Sequence, residues 1–167
     1  YNMEIVNKVI YLKKNQVFFL IIIINLIIRL LFFINVNENI LQFSDQTKYI
    51  TISDSLLKNF NFSTSTILGR TPGYPLFLFL IRSVFDNLIF VIFVQNCLGI
   101  LSILLIYNTA KQFSKELSLL TTFIFSINLN IILYQNLIMT ESIFIINFIS
   151  FIYFFLRFIR YKKIKYL

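Results

Sequence analysis

The chain has 167 residues, of which 58% are hydrophobic and 13% charged, with 21 Phe, no His and one Cys. A mean hydropathy of +0.81 excludes a soluble domain, whose surface would need more charge. The formal charge of +8 therefore belongs with anionic lipid and not with nucleic acid, and the lone Cys97 excludes disulfides and thiolate metal sites.

A helix crossing hydrocarbon needs about 20 mostly apolar residues, because every backbone amide must be satisfied inside the segment. Residues 17–36, VFFLIIIINLIIRLLFFINV, form the first such run; no small-residue cleavage site follows it, so it reads as a retained span. Arg29 lies near its outer end. The next stretch, 37–87, is several times longer than the other connections, and long loops in compact proteins tend to be functional. Within it, SDQTKYITISDSLLKNF offers Ser44 as an N-cap and repeats Tyr49, Ile52, Leu56 and Phe60 on one helical face, the pattern of an amphipathic helix lying on the membrane. Asp45, Tyr49 and Ser53 stack at four-residue spacing along that helix, whereas Asp54 points away toward solvent.

Residues 69–77, GRTPGYPLF, hold both prolines and two of the three glycines. Pro72 and Pro75 remove backbone donors and keep the chain extended before them; Gly69 and Gly73 permit turns. The stretch reads as a rigid elbow that holds Arg70 at headgroup level. The helix LFLFLIRSVF is expected to start no earlier than Pro75 and to run about ten residues to Asp86, too short to span. Further spans follow at 88–107, 117–134 and 142–160. Asn25, Asn128, Asn130 and Asn147 inside the spans suit interhelical hydrogen bonds. The external Asn61-Phe-Ser63 sequon has meaning only in a host that glycosylates.

The basic residues separate by side. Lys8, Lys13 and Lys14, then Lys111 and Lys115, then Arg157, Arg160, Lys162, Lys163 and Lys165 fall on one face of a four-span protein. In 37–87, Lys48, Lys58, Arg70 and Arg82 are balanced by Glu38, Asp45, Asp54 and Asp86. The bias puts both termini in the cytoplasm and the long loop outside. The expected fold is thus an all-α integral membrane protein of about four transmembrane helices, with short interfacial helices in a long first external loop.

The order Arg29, Asp45-x-x-x-Tyr49, Arg70-Thr-Pro-Gly-Tyr74-Pro-Leu-Phe, Gln95-Asn-x-x-Gly99 and Met139-Thr-Glu141 resembles the N-terminal portion of the polytopic C-type-fold glycosyltransferases. These use polyprenyl-phosphate sugars and include protein O-mannosyltransferase-like and aminoarabinose-transferase-like enzymes. The resemblance covers nearly the whole chain. Position 53 is Ser where the family often has Ala, and the later spans are absent.

The resemblance implies that residues 1–167 are the N-terminal part of one transmembrane glycosyltransferase domain in the cell inner or plasma membrane. Such an enzyme moves a hexosyl or pentosyl unit from a polyprenyl-phosphate donor to an acceptor hydroxyl on lipid, glycan or protein, with inversion. Asp45 would be the general base. Arg70, Tyr74, Tyr49, Glu141 and Arg29 would bind substrate or the donor phosphate. If a divalent cation such as Mg or Mn is used, Asp45 and Glu141 would hold it, since hard ions take oxygen ligands.

Each of these residues also has a plainer reading. Asp45 can be a solvated helix cap, and Glu141 can open its helix beside Thr140. Arg29 and Arg70 can snorkel to headgroups, and Tyr49 and Tyr74 can be interfacial aromatics. Rival functions are a transporter or lipid-flippase subunit and a non-catalytic assembly subunit, and a piece of this length could lack activity by itself. A transporter would carry its ionisable groups near the bilayer midplane, whereas these acids fall at the outer edge.

Overall fold

The computed structural model describes residues 2–36, 44–59 and 71–161. Arg70, Gly69, Phe60 and the Asn61 sequon lie outside them. The described residues form seven α-helices: α1 Asn2–Ile34, α2 Ser44–Asn59, α3 Gly73–Arg82, α4 Leu88–Ala110, α5 Lys115–Ser126, α6 Leu129–Gln135 and α7 Glu141–Tyr161. No strand occurs among them.

Three helices are long and apolar enough to cross a membrane: Asn15–Ile34 within α1, all of α4, and Glu141–Arg160 within α7. Their large side chains are widely exposed, Phe19 by 63%, Leu101 by 46% and Phe151 by 63%, which suits lipid as the solvent. The protein is an all-α membrane protein. The third apolar run is not one continuous helix over 117–134. It breaks at Ile127 and Asn128, where the Asn128 amide donates to Phe125 O, three residues back, instead of four. α5 and α6 make a fourth span only if taken as one broken span.

The chain divides into two compact units. The first comprises Tyr1–Leu31, Ile100–Leu129 and Ile145–Leu167. In it Ser118, Thr122 and Ser126 form a buried small-residue stripe along α5, the surface that lets a neighbouring backbone come close. Asn25 of α1 uses it, its Nδ2 donating to Ser126 O at 2.7 Å, and the buried Arg29 donates from Nε to Asn25 Oδ1 at 2.7 Å. Asn25 therefore makes the interhelical hydrogen bond expected of it. Ser114 caps α5 by accepting from the Leu117 amide, and Lys115 Nζ donates to Asn15 Oδ1.

The second unit comprises Phe32–Gly99 and Asn130–Phe144. α2 packs on α3, and Tyr49, Tyr74, Leu78, Val91, Ile92, Leu137 and Ile138 form its buried apolar core. α3 begins at Gly73, two residues before the expected start, with Pro72 as its N-cap. Pro75 then falls in the first turn, where a helix does not use its N–H. α3 ends at Arg82, short of Asp86. Asp54 is not simply solvated: it pairs with Arg82 at 2.5 Å, while Arg82 also reaches Asp86 Oδ1 at 2.7 Å and donates to Ser53 Oγ at 3.0 Å. Burial alone would lower the Arg82 pKa, but the hydrogen bonds it donates to Asp54 and Asp86 outweigh it and raise it. This cluster ties α2 to the end of α3.

Candidate functional site

The second unit contains a groove of about 520 Å³ built from three chain segments. α2 gives Tyr49, the elbow gives Thr71, Gly73 and Tyr74, and the start of α7 gives Thr140, Glu141, Ile143 and Phe144. One carboxylate, two threonine hydroxyls and exposed glycine backbone form its polar part, and aromatic and aliphatic side chains form the rest. An amphipathic ligand with a polar head suits such a lining.

Tyr74 is the pivot. Its ring meets Tyr49 edge-on at 5.0 Å between centroids and stacks with Phe77 at 5.9 Å, and the residue is 3% exposed. Its Oη donates to Gln95 Oε1 at 2.6 Å. Burial pushes the Tyr74 phenol well above its ordinary range, and the charge on Glu141 and the neighbouring Tyr49 push it further. Tyr74 thus stays a neutral donor at neutral pH.

Gln95 holds the other wall. Its Nε2 donates to Gln135 O at 3.0 Å and to Leu137 O at 2.7 Å, the carbonyls of the last residue of α6 and of the non-helical stretch that leads into α7. Asn96 adds a bond to Asn136 Oδ1 at 3.0 Å, and Asn136 donates to Ile132 O at 2.8 Å. One fully buried glutamine therefore fixes both the elbow, through Tyr74, and the peptide that presents Thr140 and Glu141. In the sequence Gln95 stood out only as part of the Gln95-Asn-x-x-Gly99 motif of the family resemblance, and its task here was not legible because its partners Tyr74, Gln135 and Leu137 are 21 to 42 residues away.

Glu141 is the first residue of α7, where the helix dipole favours a carboxylate. Its Oε2 is buried and has no hydrogen-bond partner among the described residues. Asp45 sits in the first turn of α2, one turn before Tyr49 and on the same helical face, but it does not line the groove. The structure thus brings together Tyr49, Tyr74 and Glu141. Arg29 belongs to the first unit, bonded to Asn25, and Arg70 lies outside the described residues. Among the described residues no group of three or more His, Cys, Asp or Glu is placed to share a metal ion, and the groove offers one carboxylate.

The sequence pattern of the dolichyl-phosphate-mannose-protein mannosyltransferase family matches residues 69–167, more than half of the chain. The chain belongs to this family. No curated protein and no solved structure matches it. The mannosyltransferase-family match includes the elbow, Gln95 and the Thr140–Glu141 wall, whereas Arg29, Asp45 and Tyr49 precede it. Membership makes the chain a membrane protein of a glycosyltransferase family, and the groove lies largely within the matched residues.

Proposed function

We propose that the groove is the donor site of a membrane glycosyltransferase, of which this chain is the N-terminal part. The enzyme takes a sugar from a polyprenyl phosphate and passes it to an acceptor hydroxyl at the outer membrane face, with inversion. The observation that carries the reading is the meeting of the elbow with the Thr140–Glu141 wall, around a carboxylate oxygen that has no partner among the described residues.

A glycosyl phosphate is already activated, so the protein needs to position the reactants, remove one proton and neutralise the departing phosphate. In this reading Asp45 accepts the acceptor hydroxyl's proton as its oxygen bonds to the anomeric carbon. The bond from that carbon to the phosphate oxygen breaks, and the electron pair leaves with polyprenyl phosphate. Glu141 accepts a hydrogen bond from a sugar or acceptor hydroxyl. Arg70, the chain neighbour of the groove residue Thr71, is the cation for the phosphate, because a guanidinium matches its geometry bidentately.

The sidedness draws support from the first unit, where Lys115 bonds Asn15 and Arg160 bonds Gln112 O, so that the start of the first span, the connection between α4 and α5 and the end of α7 share one end. The termini would be cytoplasmic and the groove outside.

The test is to place the protein, expressed from its whole reading frame, in membranes with a labelled polyprenyl-phosphate sugar. The expected outcome is label on an acceptor hydroxyl, equimolar release of polyprenyl phosphate and an inverted anomeric centre. Movement of intact donor across the bilayer with no transfer would identify a transporter and overturn the reading.

A further inference from the structure

We propose that the first unit binds an anionic phospholipid, the headgroup phosphate in a cationic cavity and an acyl chain in an apolar cavity lined by the same two helices. The site uses none of the groove's residues and holds whether or not the groove transfers sugar.

The cationic cavity measures about 290 Å³ and is lined by Asn108, Lys111, Gln112, Tyr153, Arg157 and Arg160. Among the described residues three cations and no carboxylate line it, so a ligand there meets a net positive field. The side chains are braced in place. Arg157 Nη1 donates to Tyr153 Oη at 2.8 Å, Arg160 Nη1 donates to Gln112 O at 3.0 Å, and Lys111 Nζ sits 5.6 Å from the centre of the Tyr107 ring. Gln112 Nε2 is buried without a hydrogen-bond partner among the described residues, a donor with nothing yet to donate to. Cations near helix C-termini also complement the helix dipole. That accounts for each charge singly, but not for the buried amide or for what lies next to it.

A second cavity, about 310 Å³ and wholly apolar in the surface it presents, is lined by residues that include Ile106, Ala110, Phe113, Leu117, Ile152 and Leu156. Both cavities are lined by α4 and α7, with Ile106 and Ala110 facing Ile149, Ile152 and Leu156 in the second, and Asn108 facing Tyr153, Arg157 and Arg160 in the first. The cationic cavity sits at the last turns of α4 and α7, where two spans end and hydrocarbon gives way to headgroups, and the apolar one reaches back along the same two helices to Ile106 and Ile149. A free phosphate would use only the first cavity. An anionic phospholipid uses both, and basic pockets between membrane helices are suited to such headgroups.

The experiment uses the purified full chain, delipidated in zwitterionic detergent and titrated with dioleoyl phosphatidylglycerol, dioleoyl phosphatidylcholine or inorganic phosphate, with bound adducts counted by native mass spectrometry. Phosphatidylglycerol should be retained where phosphatidylcholine and phosphate are not. The double variant K111Q/R160Q should bind it about tenfold more weakly, while K111R/R160K stays near wild type. Leu117→Asn, which puts a polar group into the apolar cavity without changing charge, should also weaken it. On the unaltered protein, raising the ionic strength should weaken retention as well. Equal retention of both lipids, phosphate bound as tightly as phosphatidylglycerol, salt-insensitive retention, or wild-type affinity in K111Q/R160Q would each overturn the proposal.

Discussion

Asp45→Asn should lower sugar transfer by about 10²–10⁴-fold, the range a positioned general base supplies. The reason lies in where α2 starts. Asp45 is in its first turn, on the face that four residues later carries Tyr49 into the groove. Asn keeps the size of the side chain and its ability to accept from first-turn amides, so the helix should survive the exchange. What it loses is the capacity to take a proton. The loss should therefore appear in kcat, with donor KM nearly unchanged and the same amount of protein inserted in membranes. Glu141→Gln should act differently. It keeps a hydrogen-bonding side chain in the groove wall, so the expected effect is a moderate rise in KM. If Asp45→Asn transfers sugar at the wild-type rate while Glu141→Gln loses it, the base is Glu141 and the assignment of Asp45 is wrong.

Gln95→Leu should be the most damaging single change in the second unit. The substitution is apolar and near in size, yet it removes the acceptor for Tyr74 Oη and the donor for Gln135 O and Leu137 O in one step. Leaving a buried polar group unpaired costs about 1–3 kcal/mol, less where lipid-embedded groups find substitutes, so the total should be about 2–5 kcal/mol. Thermal unfolding in detergent would measure it. Because the same glutamine holds the elbow and the approach to α7, transfer should fail even at temperatures where the variant remains folded. An unchanged midpoint together with full activity would show that the network does not position the groove.

How much of this was readable beforehand depends on the range of the interaction. The spans were legible because an apolar run of membrane length leaves the backbone few alternatives. The elbow was legible from Pro72 and Pro75, but the start of α3 was placed two residues late, since a proline in a first turn forfeits no hydrogen bond. The break between α5 and α6 carries neither Pro nor Gly, so local propensity gave no warning of it. Asp54 was read as solvated because its partner Arg82 is 28 residues away on another helix. The meeting of Tyr74 with Glu141, and the buried glutamine that arranges it, are tertiary facts that periodicity does not encode.

Donor binding to a protein with a blocked groove tests most directly whether the lipid-linked sugar sits there. Gly73 is exposed on the groove wall, and a Cβ added there meets nothing within 4 Å, so that wall has open space for a larger side chain. Binding of a labelled polyprenyl-phosphate sugar to purified Gly73→Phe should weaken about tenfold or more, a clash of roughly 1.4 kcal/mol or above, at an unchanged unfolding temperature. Wild-type donor affinity in a folded Gly73→Phe protein would contradict the claim that this groove is where the lipid-linked sugar sits.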